Sequence, residues 1–578
     1  MSLTTVWGES LNPEQPLQEY PRMQMRRNSY TNLNGIWEYQ ITDADDEPAA
    51  DRWKPIVVPF ALGTPLSKTE EILQPHQALW YRRQFSYTPG LKRTFLNFEA
   101  VDQICIVYLN GIELAAHYGG YTPFSVDVSD CISYQNSLMV RCFDDSDYGI
   151  RASGKQKLEH GGMWYTPSSG IWQTVWLEDL PEHAVEDLKI TPCYEEEKAV
   201  LQFAGNFRSA EVVVSLQGKQ IHRGFSEGFF YTVPLPDFKA WTPEHPVLYD
   251  VTIHTEDDTV TSYFAMRKFS CGNDAAGIPR FMLNDEPLFL TGLLDQGYVP
   301  DGRMTYPADE AMISELSAVK NMGFNMLRKH AKIENRRWYY HCDRMGILVM
   351  QDMPSGGFGE YNKTVMATIP TLGVRRQKDT GKTKFGKVSE RAEKAYFAEL
   401  DEMLAELYNS PCIFSWCPFN EGWGQFDSER VTNYIRSYDK TRLIDSASGW
   451  FDQGCGDFLS LHNYFFPYRA KPDKGGRVVI LSEFGGYSYL EPGHSEAGEL
   501  YGYKKFKDRI KLDQALNELY ETMILKNIPR GLSGCIYTQV SDIEDECNGL
   551  FTYDRRVVKI NTRRMRKMND MCIRRIMK

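Results

Sequence analysis

Two stretches of the 578-residue chain end an apolar run in a glutamate followed closely by glycine. Ile413 to Pro418 leads into Phe419-Asn420-Glu421-Gly422, and Val478 to Leu481 leads into Ser482-Glu483-Phe484-Gly485-Gly486. Each reads as a buried strand that delivers a carboxyl group to a rim. Were the two rims one, the facing carboxyls would be the equipment for cleaving a glycosidic bond. One would protonate the departing oxygen while the other attacks the anomeric carbon or activates water. A separation of about 5–5.5 Å goes with retention of configuration, and about 6.5–9.5 Å with inversion. Taken singly, either glutamate also suits a strand cap that meets a basic partner.

Other polar residues fall at the ends of apolar runs and would join the same rim. Asp295 and Gln296 follow a first run, His330 a second and Asp352 a third, while His462-Asn463-Tyr464 closes a later one. Asp295 and His330 suit sugar-hydroxyl ligands. Asp352 suits either a ligand or a partner for a rim arginine such as Arg328. Trp423 and Trp450 follow strand ends, where an indole face can stack on a sugar ring or pack against loops.

The elements that must position these residues are legible in the hydrophobic pattern. After Cys271-Gly272-Asn273-Asp274 the chain alternates strand and helix. Strands are predicted at Leu288 to Leu294, Asn325 to Arg328, Ile347 to Gln351, Ile413 to Pro418, Leu443 to Ala447, Phe458 to Leu461, Val478 to Leu481 and Cys535 to Val540. Eight such units over about 300 residues match a (β/α)₈ TIM barrel, whose strand C-termini converge on one cup. Residues 1–182 carry short β-rich runs and an Asn110-Gly111 hairpin signal, and read as a jelly-roll β-sandwich with Trp37, Trp80, Trp164, Trp172 and Trp176 in its core. Residues 183–271 read as an immunoglobulin-like β-sandwich, and 272–578 as the barrel.

Composition narrows the partners. The 65 basic residues against 77 acidic ones give a net charge of −12, with no extended basic face, which argues against nucleic acid. There is no apolar run of the roughly 20 residues a membrane span needs, and no leader-like N-terminus. The 12 cysteines include no CxxC pair, and several sit in strand-like runs, so a reducing cytoplasmic setting is expected. The loop from Pro354 to Val388 gathers Arg375, Arg376, Lys378, Lys382, Lys384 and Lys387, and reads as a solvated lid rather than an anion site. Gly381-Lys382-Thr383 lacks the upstream glycine of a phosphate loop. No structural metal motif is present.

Several motifs together resemble glycoside hydrolase family 2, which includes β-galactosidases, β-glucuronidases and β-mannosidases. They are Trp80-Tyr81-Arg82-Arg83, Leu109-Asn110-Gly111, Trp241-Thr242-Pro243-Glu244-His245-Pro246, Asn420-Glu421 and Ser482-Glu483-Phe484-Gly485. The resemblance implies a retaining exo-β-glycosidase acting on a carbohydrate, with Glu421 as acid/base and Glu483 as nucleophile. It further implies that Asn420 bonds the sugar 2-hydroxyl and that Tyr464 donates to the nucleophile. β-Galactoside leads among substrates by family frequency, with β-glucuronide the alternative. Cys547-Asn548-Gly549-Leu550 lacks the lysine with which family glucuronidases hold a carboxylate, and Tyr537 and Gln539 replace tryptophans of large galactosidases. A non-catalytic carbohydrate-binding protein is the rival from another class. No cofactor is called for, while a weakly held Mg²⁺ and an oligomeric assembly stay open.

Overall fold

The computed structural model describes residues 3–28, 30–354, 377–381, 385 and 388–576. In the first block, a six-stranded sheet runs in the order 54–58, 35–43, 77–86, 135–143, 104–109, 112–118. A four-stranded sheet runs 31–32, 175–180, 93–98, 124–127. Alternation decides which side chains enter between them: Cys105, Val107 and Leu109 from one strand and Leu138, Val140 and Cys142 from its neighbour are all buried. Asn110 and Gly111 close the hairpin with φ of 53° and 82°, the left-handed pair that a two-residue turn of this hand requires.

Trp37 lies in this core. Trp80, Trp172 and Trp176 are also buried. Trp164 departs from expectation. It lies on a loop that leaves the sandwich, and its ring meets Trp423 of the barrel at 5.0 Å.

A second pair of sheets, from residues 185–234 and 209–264, encloses Leu188, Val212, Val214, Val251 and Ile253. A three-stranded sheet over 269–287 follows, which the sequence pattern did not separate from the barrel. It plugs the barrel floor: Phe281 packs on Phe414 at 5.2 Å, and the buried Arg280 donates to the carbonyls of Ile528 and Leu532.

The barrel strands are β1 (Leu290–Asp295), β2 (Met326–Lys329), β3 (Leu348–Asp352), β4 (Ile413–Cys417), β5 (Leu443–Ile444), β6 (Phe458–Asn463), β7 (Val478–Gly485) and β8 (Leu532–Thr538). They form one parallel eight-stranded sheet in the order β5-β4-β3-β2-β1-β8-β7-β6. Asp457 bridges the seam between β5 and β6, donating its N–H to the Ile444 carbonyl at 2.8 Å and accepting from the Ile444 N–H at 2.8 Å.

Helices α1 (Asp309–Asn321), α2 (Arg336–Met345), α3 (Glu390–Leu407), α4 (Ser428–Tyr438), α5 (Arg509–Leu519) and α6 (Thr562–Ile576) pack outside the strands. In α3 the buried Tyr396, Leu400, Met403, Leu404 and Leu407 form the apolar stripe that the 3.6-residue period predicts. No helix among the described residues is long and apolar enough to cross a membrane.

Candidate active site

Glu421 lies four residues beyond the end of β4 with φ of 51°, held by its N–H donating to the Ser448 carbonyl at 2.9 Å. Glu483 is inside β7, at a bulge. The register slips between Leu461 and His462 on β6, and between Leu481 and Phe484 opposite β8. A bulge lets consecutive residues turn to one face. Thus Ser482 bonds Ser448 and Ser460 inside the barrel, while Glu483 also points into the cup.

The two glutamates meet around His462. One oxygen of each carboxyl and a ring nitrogen of His462 all lie within 4.8 Å of one another. His462 Nδ1 is 2.7 Å from Glu421 Oε1, and its Nε2 is 3.5 Å from Glu483 Oε1. Gly449 makes room for the ring, since a Cβ there would stand 2.5 Å from His462 Nδ1.

Arg328, fully buried on β2, ties the cup together. It donates to both oxygens of Asp352 at 3.0 Å, to Asn420 Oδ1 at 2.8 Å and to Glu483 Oε1 at 3.2 Å. The Tyr464 hydroxyl donates to the other Glu483 oxygen and lies 3.1 Å from Thr538 Oγ1.

Burial raises Glu421 above the usual carboxyl range, and the charges of Lys155, His330 and Arg328 pull it back in part. Burial pushes His462 down to about 3, which keeps the ring neutral near pH 7. For Asp352, burial works against ionisation, but Arg328 and then His330 outweigh it and hold the carboxyl below its ordinary value.

The remaining sequence candidates divide in two. Asn420, His330 and Asp352 are in the cup with Glu421. His330 Nδ1 is 2.7 Å from Asp352 Oδ2, and Asp352 is the arginine partner rather than an open ligand. His462 is buried between the glutamates, so it bonds the catalytic candidates rather than lining the opening. Trp450 packs edge-on to His462 at 5.3 Å, and Trp423 packs with Phe385 and Phe451 beside the site.

Asp295 is turned away. It is 1% exposed, pairs with Lys329 at 2.7 Å, and accepts from the Gly297 N–H at 2.8 Å, on the side facing α2, where Lys329 covers Trp338. Of the basic loop, Arg375, Arg376, Lys382, Lys384 and Lys387 lie outside the described residues. Asp379 is buried and accepts from the N–H and hydroxyl of Ser428, fixing the start of α4.

Three contributors escape a reading by strand ends. Tyr503 stacks on Tyr464 at 3.9 Å. Glu546, in the loop after β8, receives the Tyr165 hydroxyl. Lys155 comes from the first sandwich and lies 4.3 Å from the Trp423 ring centre. A lone lysine in a polar loop between two sandwich strands carries no periodic signal. Glu546 directly precedes Cys547-Asn548-Gly549-Leu550, and a carboxylate beside that lysine-free stretch is the one sequence signal for it.

Among the described residues, one group of three potential metal ligands stands out, formed by Glu421, His462 and Glu483 themselves. Mg²⁺ prefers six oxygens in octahedral array. A buried imidazole and an arginine 3.2 Å from Glu483 do not fit that ion.

Comparison with known proteins follows the same outline. Residues 279–474 match the model "Glycosyl hydrolases family 2, TIM barrel domain", and residues 63–171 match "Glycosyl hydrolase 2 galactose-binding domain-like". The chain belongs to glycosyl hydrolase family 2. The matched barrel segment contains Glu421 and stops short of Glu483. Within family 2, the chain is 24% identical over 448 residues to a β-galactosidase of Thermoanaerobacter pseudethanolicus, covering 71% of this chain and 54% of that one. It is 27% identical over 395 residues to a putative β-glucuronidase of Formosa agariphila, covering 64% and 34%. The family 2 chain thus spans about half or less of the length of these relatives. Among solved structures, a β-glucuronidase of an uncultured Clostridium sp. superposes with a TM-score of 0.75 at 18% identity, covering 95% of this chain and 99% of that one. A galacturonate-bound β-galacturonidase of Eisenbergiella tayi gives 0.70 at 18%, covering 95% and 99%.

Proposed function

We propose that this protein is a retaining exo-β-glycosidase that removes a terminal β-linked sugar by double displacement, with β-galactosides as the leading substrates. The observation that carries the reading is the approach of one Glu421 oxygen and one Glu483 oxygen to within 4.8 Å, both also within that distance of His462. That spacing suits a retaining pair and leaves little room for the water an inverting enzyme must place between its carboxyls.

In the first step the Glu483 carboxylate forms a bond to the anomeric carbon as the glycosidic C–O bond breaks. The proton held on Glu421 goes to the leaving oxygen. Arg328 and Tyr464, each donating to a Glu483 oxygen, hold the nucleophile aimed. Esterification of Glu483 removes its charge, so Glu421 loses acid-stabilising repulsion and can take a proton from water. Water then attacks the anomeric carbon and releases Glu483. Asn420, held by Arg328 beside both glutamates, is positioned for the sugar 2-hydroxyl.

The test is a panel of aryl β-glycosides with Glu421→Gln, Glu483→Gln and Glu483→Gly. Loss of turnover in all three, with azide restoring Glu483→Gly through an inverted glycosyl azide, is the expected result. Full activity in either glutamine variant overturns the assignment, and azide rescue of Glu421→Gly but never of Glu483→Gly, through an inverted product, would mean that the two roles are swapped.

A further inference from the structure

Three buried lysines lie near the barrel rim, and the ammonium groups of two of them are fully provided for. Lys329 Nζ lies 2.7 Å from Asp295, and Lys332 Nζ lies 2.7 Å from Glu334 and donates to the Gly297 and Met304 carbonyls. Lys155 is different. It is 6% exposed, its Nζ lies 4.3 Å from the Trp423 ring centre and 5.5 Å from that of Trp164, and among the described residues no oxygen accepts from it. Indole faces hold a cation weakly compared with oxygen ligands, and an ammonium has three N–H donors, so this one keeps donor capacity for a ligand.

The backbone around Lys155 is fixed in advance. Its carbonyl accepts from the Tyr165 N–H at 2.9 Å, and the next residue, Gln156, donates to Asp102 at 2.9 Å. The same Tyr165 gives its hydroxyl to Glu546 Oε2. Glu546 Oε1 has a single long contact, 3.5 Å from Asn548 Nδ2, so it retains acceptor capacity. Trp423, on which the Lys155 Nζ sits, follows Glu421 by two residues, and Tyr503, which stacks on the Tyr464 that bonds Glu483, is two residues from Tyr501, the bridge partner of Glu546, so the four groups border the same side of the cup.

We propose that Lys155 and Glu546 form a donor–acceptor clamp for hydroxyl groups of an uncharged sugar. The ammonium donates to one hydroxyl and the carboxylate accepts from another. A hydroxyl both gives and takes hydrogen bonds, so a neutral sugar satisfies both ends. A sugar carboxylate would satisfy Lys155 but would enter a space already bordered by Glu421, Glu483 and Glu546, while Arg328 is already engaged by Asp352 and Glu483. The clamp rests on the glycosidase reading above and narrows its substrate class to neutral sugars.

Calorimetry on the full chain with free sugars tests it apart from turnover. Galactose, glucose, mannose and arabinose are compared with galacturonate and glucuronate. At least one neutral sugar should bind at least about ten-fold more tightly than either uronate. Lys155→Met and Glu546→Gln should each weaken it about ten- to hundred-fold, the range for a hydrogen bond to a charged group. Because Lys155 makes no oxygen contact among the described residues, Lys155→Met should melt at or above the wild-type temperature, whereas a structural lysine would leave a lower midpoint.

A uronate that binds as tightly as every neutral sugar overturns the clamp, as does unchanged affinity in Lys155→Met. If that variant does not fold, unchanged affinity in Glu546→Gln overturns it equally. Neutral-sugar binding that depends on both residues, with no aryl glycoside hydrolysed, would sink the glycosidase reading and keep the clamp. Efficient hydrolysis of uronides would do the reverse.

Discussion

The imidazole of His462 lies 2.7 Å from the carboxyl of Glu421, in a site where burial keeps the ring uncharged. A neutral ring offers one N–H and one lone pair, so it orients Glu421 without adding a competing charge. His462→Ala should therefore damage proton transfer more than nucleophilic attack. Losses in kcat/KM of about a hundred-fold are expected for alkyl glycosides, whose leaving groups need the proton, and much smaller losses for dinitrophenyl glycosides, whose leaving groups do not. Equal losses on both substrates would show that His462 acts elsewhere.

The pH profile gives a second reading of the same acid. Burial raises Glu421, and Lys155 opposes that rise more than His330 or Arg328 does. The alkaline limb of kcat/KM reports the loss of the Glu421 proton in the free enzyme. Removing a positive charge stabilises the protonated acid, so Lys155→Met should move that limb to higher pH, while Lys155→Arg should leave it in place. A shift to lower pH in Lys155→Met would contradict the assignment of Glu421.

Arg328 can be tested through both stability and rate. It is wholly buried and bonds Asp352, Asn420 and Glu483 at once. Arg328→Ala would leave two carboxylates buried without their cation, which costs about 3–5 kcal/mol when one partner of a buried pair is removed. A melting midpoint several degrees lower and loss of detectable turnover are expected. Arg328→Lys keeps the charge but cannot make the two-pronged contact to Asp352, so it should recover part of the stability and little of the rate. A midpoint unchanged in Arg328→Ala would mean that the network contributes nothing to folding.

Much of this site is legible in the sequence, because strand periodicity and strand ends are local signals. Apolar runs marked the eight barrel strands, and the C-terminal ends of parallel strands must share a rim. Period two also places Arg328 and His330 on one face and Lys329 on the other, as observed. Asp295 takes the face away from the rim, which the sequence does not show because residues at a strand end carry no label for the face they take and its partner Lys329 lies on another strand. The bulge that turns Ser482 and Glu483 to one side is invisible in a run of alternating residues. Lys155 and Glu546 meet through Tyr165 across nearly 400 positions of sequence. No pattern within either segment announces that contact, since it depends on how the sandwich docks on the barrel.

That docking has its own titration. Glu399 on α3 receives Arg151 Nη1 and the Ala152 N–H, both at 3.2 Å, from the sandwich loop that carries Lys155. Burial raises Glu399 to about 7, with Arg151 only partly opposing it. In the unfolded chain an ordinary glutamate ionises near pH 4.5, so between about pH 4.5 and 7 the folded protein holds a proton that the unfolded one has released. The stability from this group is fully present below about pH 4.5 and is lost as pH rises through about 7. Glu399→Gln removes the titration. Its stability relative to wild type should rise by about 2–3 kcal/mol from pH 4.5 to pH 8 and then level off. Thermal midpoints of the two proteins measured across that range provide the check, and parallel curves would show that the docked carboxyl is ionised throughout.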